Sequence, residues 1–129
     1  MSEIRENYFY TKEHEWVKID GDFAYLGITD YAQNELGEIV YVDYEKEVDE
    51  TLELNEEFAT LESTKSASPI YAPITGEIVE VNEKIEDDSE VINESPYDDG
   101  WIVKVKLSNK EELDSLLNAK DYEAFLATL

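Results

Sequence analysis

The chain has 129 residues, no cysteine and a formal net charge of −23, and these features exclude several classes of protein. A chain of this length fits one domain that buries its own core, so we expect a single domain over residues 1–129. The absence of cysteine excludes disulfide frameworks, zinc–thiolate sites and cysteine nucleophiles. The negative charge repels the phosphates of nucleic acids, so we expect no nucleic-acid partner.

The first residues and the apolar segments bear on the cellular compartment. The start, Met1–Tyr8, has no basic region followed by an apolar run, and no segment approaches the length that spans a membrane. We therefore expect a cytoplasmic protein with no membrane partner, and we expect it to be a monomer. A transit peptide that has already been removed would leave the same picture, so the mitochondrial matrix is the alternative location.

The predicted elements of the first half are short strands and one short helix. Alternating apolar and β-branched residues between turn residues are typical of strands. Thr29 or Asp30 can cap a short helix near 30–36, and Gly37 stands where a left-handed residue would end it. A charged connection follows over 45–56. The predicted strands cover 8–20, as one strand or two, then 23–28, 38–44 and 57–61.

The middle of the second half is predicted to add three strands. Two of them are expected over 70–74 and 77–81, and Gly76 between them is expected to hold a bend that a side chain would strain. Apolar residues alternate with lysines over 101–107, which predicts a half-buried strand near the edge of the core. The segments predicted to be loops are the acidic stretch 83–90 and the turn-rich stretch 93–100.

The C-terminal segment, about 109–129, is predicted to be helical. Ser108–Glu111 matches a capping box, and leucines at helical spacing follow it. Asp121 can cap a second helix that carries Tyr122 and Phe125 on one face.

One short pattern occurs twice. Leu36–Asp43 recurs as Thr75–Asn82, 39 positions later. The similarity indicates either two related half-units or a chance likeness between two amphipathic strands. Two half-units would form two small antiparallel sheets that stack face to face and place the segment around Lys65 at one end. The expected fold class is therefore mainly β, with the short helix and the C-terminal helices added.

Lys65 is isolated among acidic residues. It is the only basic residue between Glu47 and Glu83, and small polar residues surround it between two strand-like segments, which predicts a hairpin tip. The residues alone leave two interpretations open: a solvated surface lysine, or a lysine offered for covalent modification. The ten carboxylates of that span are Glu47, Asp49, Glu50, Glu53, Glu56, Glu57, Glu62, Glu77, Glu80 and Glu83.

The residue types present leave few catalytic arrangements. His14 is the only histidine, and no zinc-protease helix, glycine-rich phosphate loop or nucleophile elbow occurs. We therefore expect no metal site and no self-contained enzyme. The pairs Asp87–Asp88 and Asp98–Asp99 lack the spacing of a calcium loop. Asp114–Leu116 is similar to the phosphopantetheine site of acyl carrier proteins, but those carriers are helical.

Several blocks in order carry a resemblance to a known family. They are Thr11–Val17, Gly27–Gln33, Leu36–Val40, Glu62–Ser68, Pro73–Glu77, Val81–Asn82, and Asn93–Tyr97 with Gly100–Trp101. From about Tyr10 to Phe125 the chain resembles the H proteins of the glycine cleavage system, which carry a lipoyl group. The resemblance implies a lipoyl/biotinyl-type flattened sandwich, also called a barrel-sandwich hybrid. Biotin domains and other lipoyl domains typically set their lysine between methionines or after aspartate, and neither pattern is present here.

The resemblance also implies the cofactor and the partners. Lys65 is expected to carry lipoate in amide linkage, with recognition by the attaching enzyme through the flanking residues Glu62, Ser63, Thr64 and Ser66. The protein would be a carrier, not an enzyme: a co-substrate of glycine decarboxylase, an aminomethyltransferase and dihydrolipoamide dehydrogenase. The alternatives are an H-like relay that donates lipoate to other complexes, and an acidic interaction module that is never lipoylated.

A protective cleft for the loaded arm is a further expectation from the resemblance. We hypothesise that His14, Glu15 and Tyr31 line it, and that Glu15 holds the cationic amine of the carried group. The alternative is that His14 and Glu15 are ordinary strand residues and that Tyr31 packs the short helix. Two departures from some relatives affect this region: Pro69 replaces an acidic residue, and Tyr31 replaces a histidine.

Overall fold

The computed structural model describes residues 2–129, and this part of the chain contains nine strands, four α-helices and one 3₁₀ helix. In chain order the elements are β1 (Phe9–Tyr10), β2 (Glu15–Asp20), β3 (Phe23–Ile28), α1 (Asp30–Leu36), β4 (Ile39–Tyr44), β5 (Thr51–Leu52), β6 (Glu57–Ser63), β7 (Ala67–Tyr71), β8 (Gly76–Val81), α2 (Glu83–Asp87), α3 (Val91–Glu94), β9 (Val103–Leu107), the 3₁₀ helix (Lys110–Ser115) and α4 (Ala119–Leu126). None of the described helices is long and apolar enough to cross a membrane.

The strands form two antiparallel sheets. One sheet has six strands in the order β1-β2-β3-β9-β8-β5, and the other has three in the order β4-β6-β7. Apolar residues of both sheets form one buried cluster, including Leu26 and Ile78 from the larger sheet and Leu61 from the smaller one. The expectation of a mainly β fold with two antiparallel sheets is confirmed, although the sheets differ in size.

A second buried cluster is aromatic. We call it the aromatic cluster, and its members are Tyr8, Tyr10, Trp16, Tyr97 and Tyr122 together with Ala119. Tyr10 and Tyr122 stack with ring centroids 4.6 Å apart and planes 3° apart. The cluster therefore joins the N-terminal strands, the loop before β9 and the C-terminal helix α4.

The repeated sequence pattern has a structural counterpart. Its first copy contributes β4 to the three-stranded sheet, and its second copy contributes β8 to the six-stranded sheet. The equivalent residues Ile39 and Ile78 are both fully buried. Each copy therefore places the same apolar position in the core from a different sheet, as expected for two similar half-units.

Three strand predictions need correction. The charged connection contains β5, which pairs with Gly76 and Glu77. The strand after Lys65 begins at Ala67 and ends at Tyr71. The strand β9 lies between β3 and β8 and is not at an edge. Its polar face is tolerated there because Lys104 lays its side chain on Phe23 and Tyr25, with Nζ 5.1 Å from both ring centroids.

The helix predictions missed a signal that three of the helices share, which is asparagine at the cap. The predicted loop 83–90 begins with α2, which Asn82 caps by accepting a hydrogen bond from the Lys84 amide. The helix α3 begins at Val91 and overlaps the first two residues of the other predicted loop, and the side chain of Glu90 at its N-cap forms no capping hydrogen bond. At the C-terminus the caps are Asn109 and Asn118, not Ser108 and Asp121, and the first of these helices is 3₁₀.

Candidate functional site

The lysine hairpin is tighter than the sequence suggested. The strand β6 ends at Ser63 and β7 begins at Ala67, so the tip consists of Thr64, Lys65 and Ser66. The Ser63 amide donates to the Ser66 carbonyl at 2.8 Å, which closes the turn. All three tip residues are exposed, and Lys65 lies at the apex.

The tip is held by backbone groups and one small side chain. The Ser63 hydroxyl accepts from the amides of Lys65 (3.2 Å) and Ser66 (3.1 Å), and it donates to the Ser66 carbonyl at 3.1 Å. The Thr64 amide donates to the Glu38 carbonyl at 3.1 Å, which ties the tip to the connection between α1 and β4. Glu62, at the end of β6, is exposed. No large side chain is needed to hold the turn.

The Lys65 side chain lies beside a glycine. A Cβ atom on Gly37 would come within 3.3 Å of Lys65 Cε and 3.7 Å of Nζ. Gly37 ends α1 with φ of 80° and ψ of −158°, so φ is positive as predicted, but ψ lies outside the left-handed helical region. Within residues 2–129, Lys65 forms no ion pair. The Lys65 amine is therefore accessible for acylation. Gly37 does not crowd it, because glycine has no side chain.

A cleft of about 190 Å³ adjoins the hairpin. It has an apolar floor, and Ser68 and Pro69 of β7 join it to the lysine tip. His14 and Tyr31 both line it, with ring centroids 4.5 Å apart. Depressions of about 370 and 480 Å³ elsewhere contain no residue of the hairpin. The lining residues are Glu13, His14, Ile28, Tyr31, Ala32, Glu35, Leu36, Ser68, Pro69 and Ile70.

The backbone conformation, a hydrogen bond and ring packing all restrict the position of His14. It has a φ of 70°, a conformation that costs energy for a residue other than glycine. Its Nδ1 lies 2.8 Å from the Tyr122 hydroxyl, and its ring packs against Tyr31 and Phe125. Burial lowers the pKa of His14, so the ring is neutral at neutral pH.

The residues that hold His14 were not predicted as site residues. Tyr122 and Phe125 were recognised only as one face of a C-terminal helix, and Thr29 only as a helix cap. The Thr29 hydroxyl lies 2.8 Å from that of Tyr122. The helical spacing of Tyr122 and Phe125 was visible in the sequence, but nothing in it indicated that this face packs on His14.

Glu15 does not line the cleft. Its side chain is 3% exposed, and its carboxylate accepts from the Thr11 hydroxyl (2.9 Å) and the Tyr71 amide (3.2 Å). Burial raises the pKa of Glu15 to about 7, against the opposing effect of these hydrogen bonds. Glu15 therefore links the turn before β2 to the end of β7, and the carboxylates that line the cleft are Glu13 and Glu35.

Gly76 is not in the predicted bend. The bend lies at Pro73–Ile74, and Gly76 is the first residue of β8, paired with Leu52 and Leu107. Its φ is not in the positive region, but a Cβ atom there would lie 2.6 Å from the Lys106 carbonyl oxygen. Close packing, rather than a special backbone angle, is the reason for glycine.

Comparisons with known proteins identify the family of the chain. The family model described as glycine cleavage H-protein matches residues 8–129. An H protein of the glycine cleavage system from Clostridioides difficile is 55% identical over 118 residues, which are 91% of this chain and 93% of the relative. One from Halothermothrix orenii is 47% identical over 123 residues, 95% of each chain.

A solved structure shows the same fold. The crystal structure of a glycine cleavage system H protein from Mycobacterium marinum matches with a TM-score of 0.86 and 36% identity, covering 96% of this chain and 99% of that one. Sequence and fold thus confirm the family expected from the motifs. The chain belongs to the glycine cleavage H-protein family and is a lipoyl carrier of the glycine cleavage system.

Proposed function

We propose that this chain carries lipoate in amide linkage to Nζ of Lys65 and shuttles an aminomethyl group and electrons between enzymes. When bound, lipoate supplies a dithiolane, which is thiol chemistry that the cysteine-free chain lacks. The single observation that carries the proposal is the exposed, unpaired lysine at the apex of a three-residue tip.

The surroundings of Lys65 fit such a group. The missing side chain of Gly37 leaves space beside the end of the lysine. The cleft next to the tip has an apolar floor formed by Ile28, Ala32, Leu36 and Ile70. A hydrocarbon chain is more stable against such an apolar surface than in water. Ser68 and Pro69, which follow the tip in β7, line the same cleft.

Each neighbouring residue has a proposed role. Ser63 and Thr64 hold the tip through their hydrogen bonds to backbone groups, so the lysine starts from a fixed point. Ser66 is small and leaves room for the mouth of an active site, and Glu62 is exposed for recognition by the attaching enzyme. His14 and Tyr31 form the wall of the cleft, and Glu15 holds the end of β7 behind it.

The proposed partners are glycine decarboxylase, an aminomethyltransferase, dihydrolipoamide dehydrogenase and a lipoate-attaching enzyme. The chain acts as their co-substrate, as a single domain and a monomer, and it catalyses no reaction itself. Its net charge of −23 favours encounter with basic patches on other proteins, so association rates with such partners should fall as ionic strength rises.

The test is the mass of protein made in a host that attaches lipoate. The wild type should gain one lipoyl group, and so should Lys106→Arg, which alters another exposed lysine. Lys65→Arg keeps the charge but lacks the primary amine that forms the amide, so it should gain none. A lipoylated Lys65→Arg variant, or a wild type that is never modified, contradicts the proposal, and the second result favours an acidic interaction module.

A further inference from the structure

A chain of hydrogen bonds runs from the helix cap of α1 to the wall of the cleft. The Tyr122 hydroxyl lies 2.8 Å from Thr29 Oγ1 and 2.8 Å from His14 Nδ1. Thr29 and Tyr122 are both 0% exposed, so water does not compete for these groups. Each proton in this hydrogen-bond chain must therefore be donated to one of the three side chains or to the backbone around them.

Only one arrangement gives every hydroxyl hydrogen an acceptor. Thr29 Oγ1 already accepts from the Ala32 amide at 3.2 Å. If Thr29 donates to Tyr122, then Tyr122 donates to His14 Nδ1 and both hydroxyl hydrogens are used. In the reverse order, His14 donates to Tyr122 and Tyr122 donates to Thr29, and the Thr29 hydrogen has no acceptor among the described residues. A buried donor without an acceptor is costly.

We propose that Tyr122 is a positioning residue that holds His14 as the neutral tautomer protonated on Nε2. The inference rests on the proposed function in one respect: the wall of the cleft then offers an N–H donor to the acyl arm. The amide carbonyl is the acceptor that every acylated lysine contains. Nε2 forms no hydrogen bond within residues 2–129, so this donor is available to an occupant of the cleft.

The setting of the ring supports a fixed orientation. Tyr122 is stacked on Tyr10, and the His14 ring packs against Tyr31. Burial lowers the pKa of His14, while the nearby carboxylates of Glu13 and Glu35 oppose this effect to a smaller extent. The imidazole is thus held in place, and it is neutral at neutral pH.

Because His14 is the only histidine, ring ¹⁵N spectra of the unmodified protein report on it alone. We expect a pyridine-type Nδ1 and a protonated Nε2 in the wild type. In Tyr122→Phe the loss of the donor to Nδ1 destabilises the neutral ring, so the tautomers mix and the pKa of His14 rises. If His14 were instead the donor, the same variant would lower that pKa.

Tyr10→Phe is the matched control. It removes a hydroxyl from the same stacked pair, but that hydroxyl bonds to the backbone of Arg5 and not to His14. This variant should keep the wild-type spectrum and pKa. A wild type protonated on Nδ1, or a Tyr122→Phe variant that matches the wild type in both tautomer and pKa, overturns the inference. The wild-type spectrum alone shows which nitrogen of His14 is protonated, so the inference can be tested even if a variant fails to fold.

The lipoylated protein tests the use of the donor. Attachment of lipoate should shift the Nε2–H resonance of the wild type and shift it less in Tyr122→Phe. An unchanged resonance in fully lipoylated wild type would show that the arm does not accept from His14. If Lys65 is never lipoylated, the proposed function fails, but the tautomer measured on unmodified protein still stands or falls by itself.

Discussion

The lysine tip and the aromatic cluster are built in opposite ways. The tip residues Thr64 to Ser66 are exposed and held by backbone groups and one serine hydroxyl. In the cluster, Trp16 and Tyr10 are completely buried, and their polar atoms bond to the carbonyls of Pro96 and Arg5. The comparison indicates that stability and carrier function reside in different parts of the molecule. A carrier arm must be attached at an exposed tip, and the buried part of the molecule keeps that tip in a fixed position.

The cleft lies where these two regions meet. Its β7 side, with Ser68 and Pro69, continues from the lysine tip. Its other side contains His14, whose ring bonds to Tyr122 of the aromatic cluster. Substitutions at the tip should therefore affect function without affecting stability, and substitutions in the cluster should affect stability first.

The largest difference is expected between Trp16→Ala and Lys65→Ala. Removing the buried indole leaves a cavity and an unpaired Pro96 carbonyl, which lowers the free energy of unfolding by about 4 kcal/mol. Removing the exposed lysine side chain changes that free energy by less than about 0.5 kcal/mol. Urea unfolding of both variants measures the two effects. Similar losses would show that the tip is part of the stable framework.

The second effect is a pH dependence that arises from Glu15. Burial raises its pKa from the ordinary 4.5 to about 7, so the folded state binds a proton more readily than the unfolded state. The resulting stabilisation is complete below the unfolded pKa and is lost as pH rises through the folded one. At one pKa unit per 1.36 kcal/mol, the loss is about 3 kcal/mol.

Glu15→Gln removes this titration and keeps the shape of the side chain. The free energy of unfolding of the variant, relative to wild type, should therefore increase between the two pKa values of Glu15 and stay constant outside them. Urea unfolding across this pH range measures the difference, in which the other carboxylates cancel. A difference that does not change with pH would mean that Glu15 titrates as an exposed residue does.

The tip could be predicted from sequence and the aromatic cluster could not, for a physical reason. The tip is a local structure, since small polar residues between two strand-like segments specify a hairpin. The contacts Tyr8–Tyr97 and Tyr10–Tyr122 join distant parts of the chain, and no periodicity records such pairs. The same distinction explains why His14 could be predicted as a cleft residue from motifs, while its partner Tyr122 could not.

The errors in secondary structure also have a common cause. The strand β5 has two residues and α3 has four, too few to show a period. Both depend on tertiary contacts, because Leu52 and Ile92 are fully buried. The acidic composition of α2 led to its prediction as a loop, although the cap residue Asn82 and the apolar Ile85 are visible in the sequence.

A smaller effect is expected at Gly76, where the larger sheet is closely packed. Gly76→Ala places Cβ 2.6 Å from the Lys106 carbonyl oxygen, between strands that cannot easily separate, so we expect a loss of about 2 kcal/mol. The control Gly21→Ala has open space but a φ of 64°, so only backbone strain of about 1 kcal/mol is expected. Thermal and urea unfolding compare the two. Wild-type stability in Gly76→Ala would mean that the neighbouring strands move apart enough to accommodate the added methyl group.

The smallest effect is expected within the tip itself, at Ser63. Ser63→Ala removes the hydroxyl that accepts from the amides of Lys65 and Ser66, but water can replace it and the backbone bond from Ser63 to Ser66 remains. The loss should stay below about 1 kcal/mol, so amide exchange at the tip should accelerate by at most roughly fivefold.

The control for this last change lies in the same turn. Ser66→Ala leaves the hydrogen bonds of the Ser63 hydroxyl in place, because they use only the backbone of Ser66. Hydrogen exchange at Lys65 and Ser66 should therefore be faster in Ser63→Ala and unchanged in Ser66→Ala. Equal acceleration in both variants would show that the serine side chains merely exclude water. Acceleration well beyond fivefold would show that the hydroxyl, and not the strand pairing, closes the turn that presents the lysine.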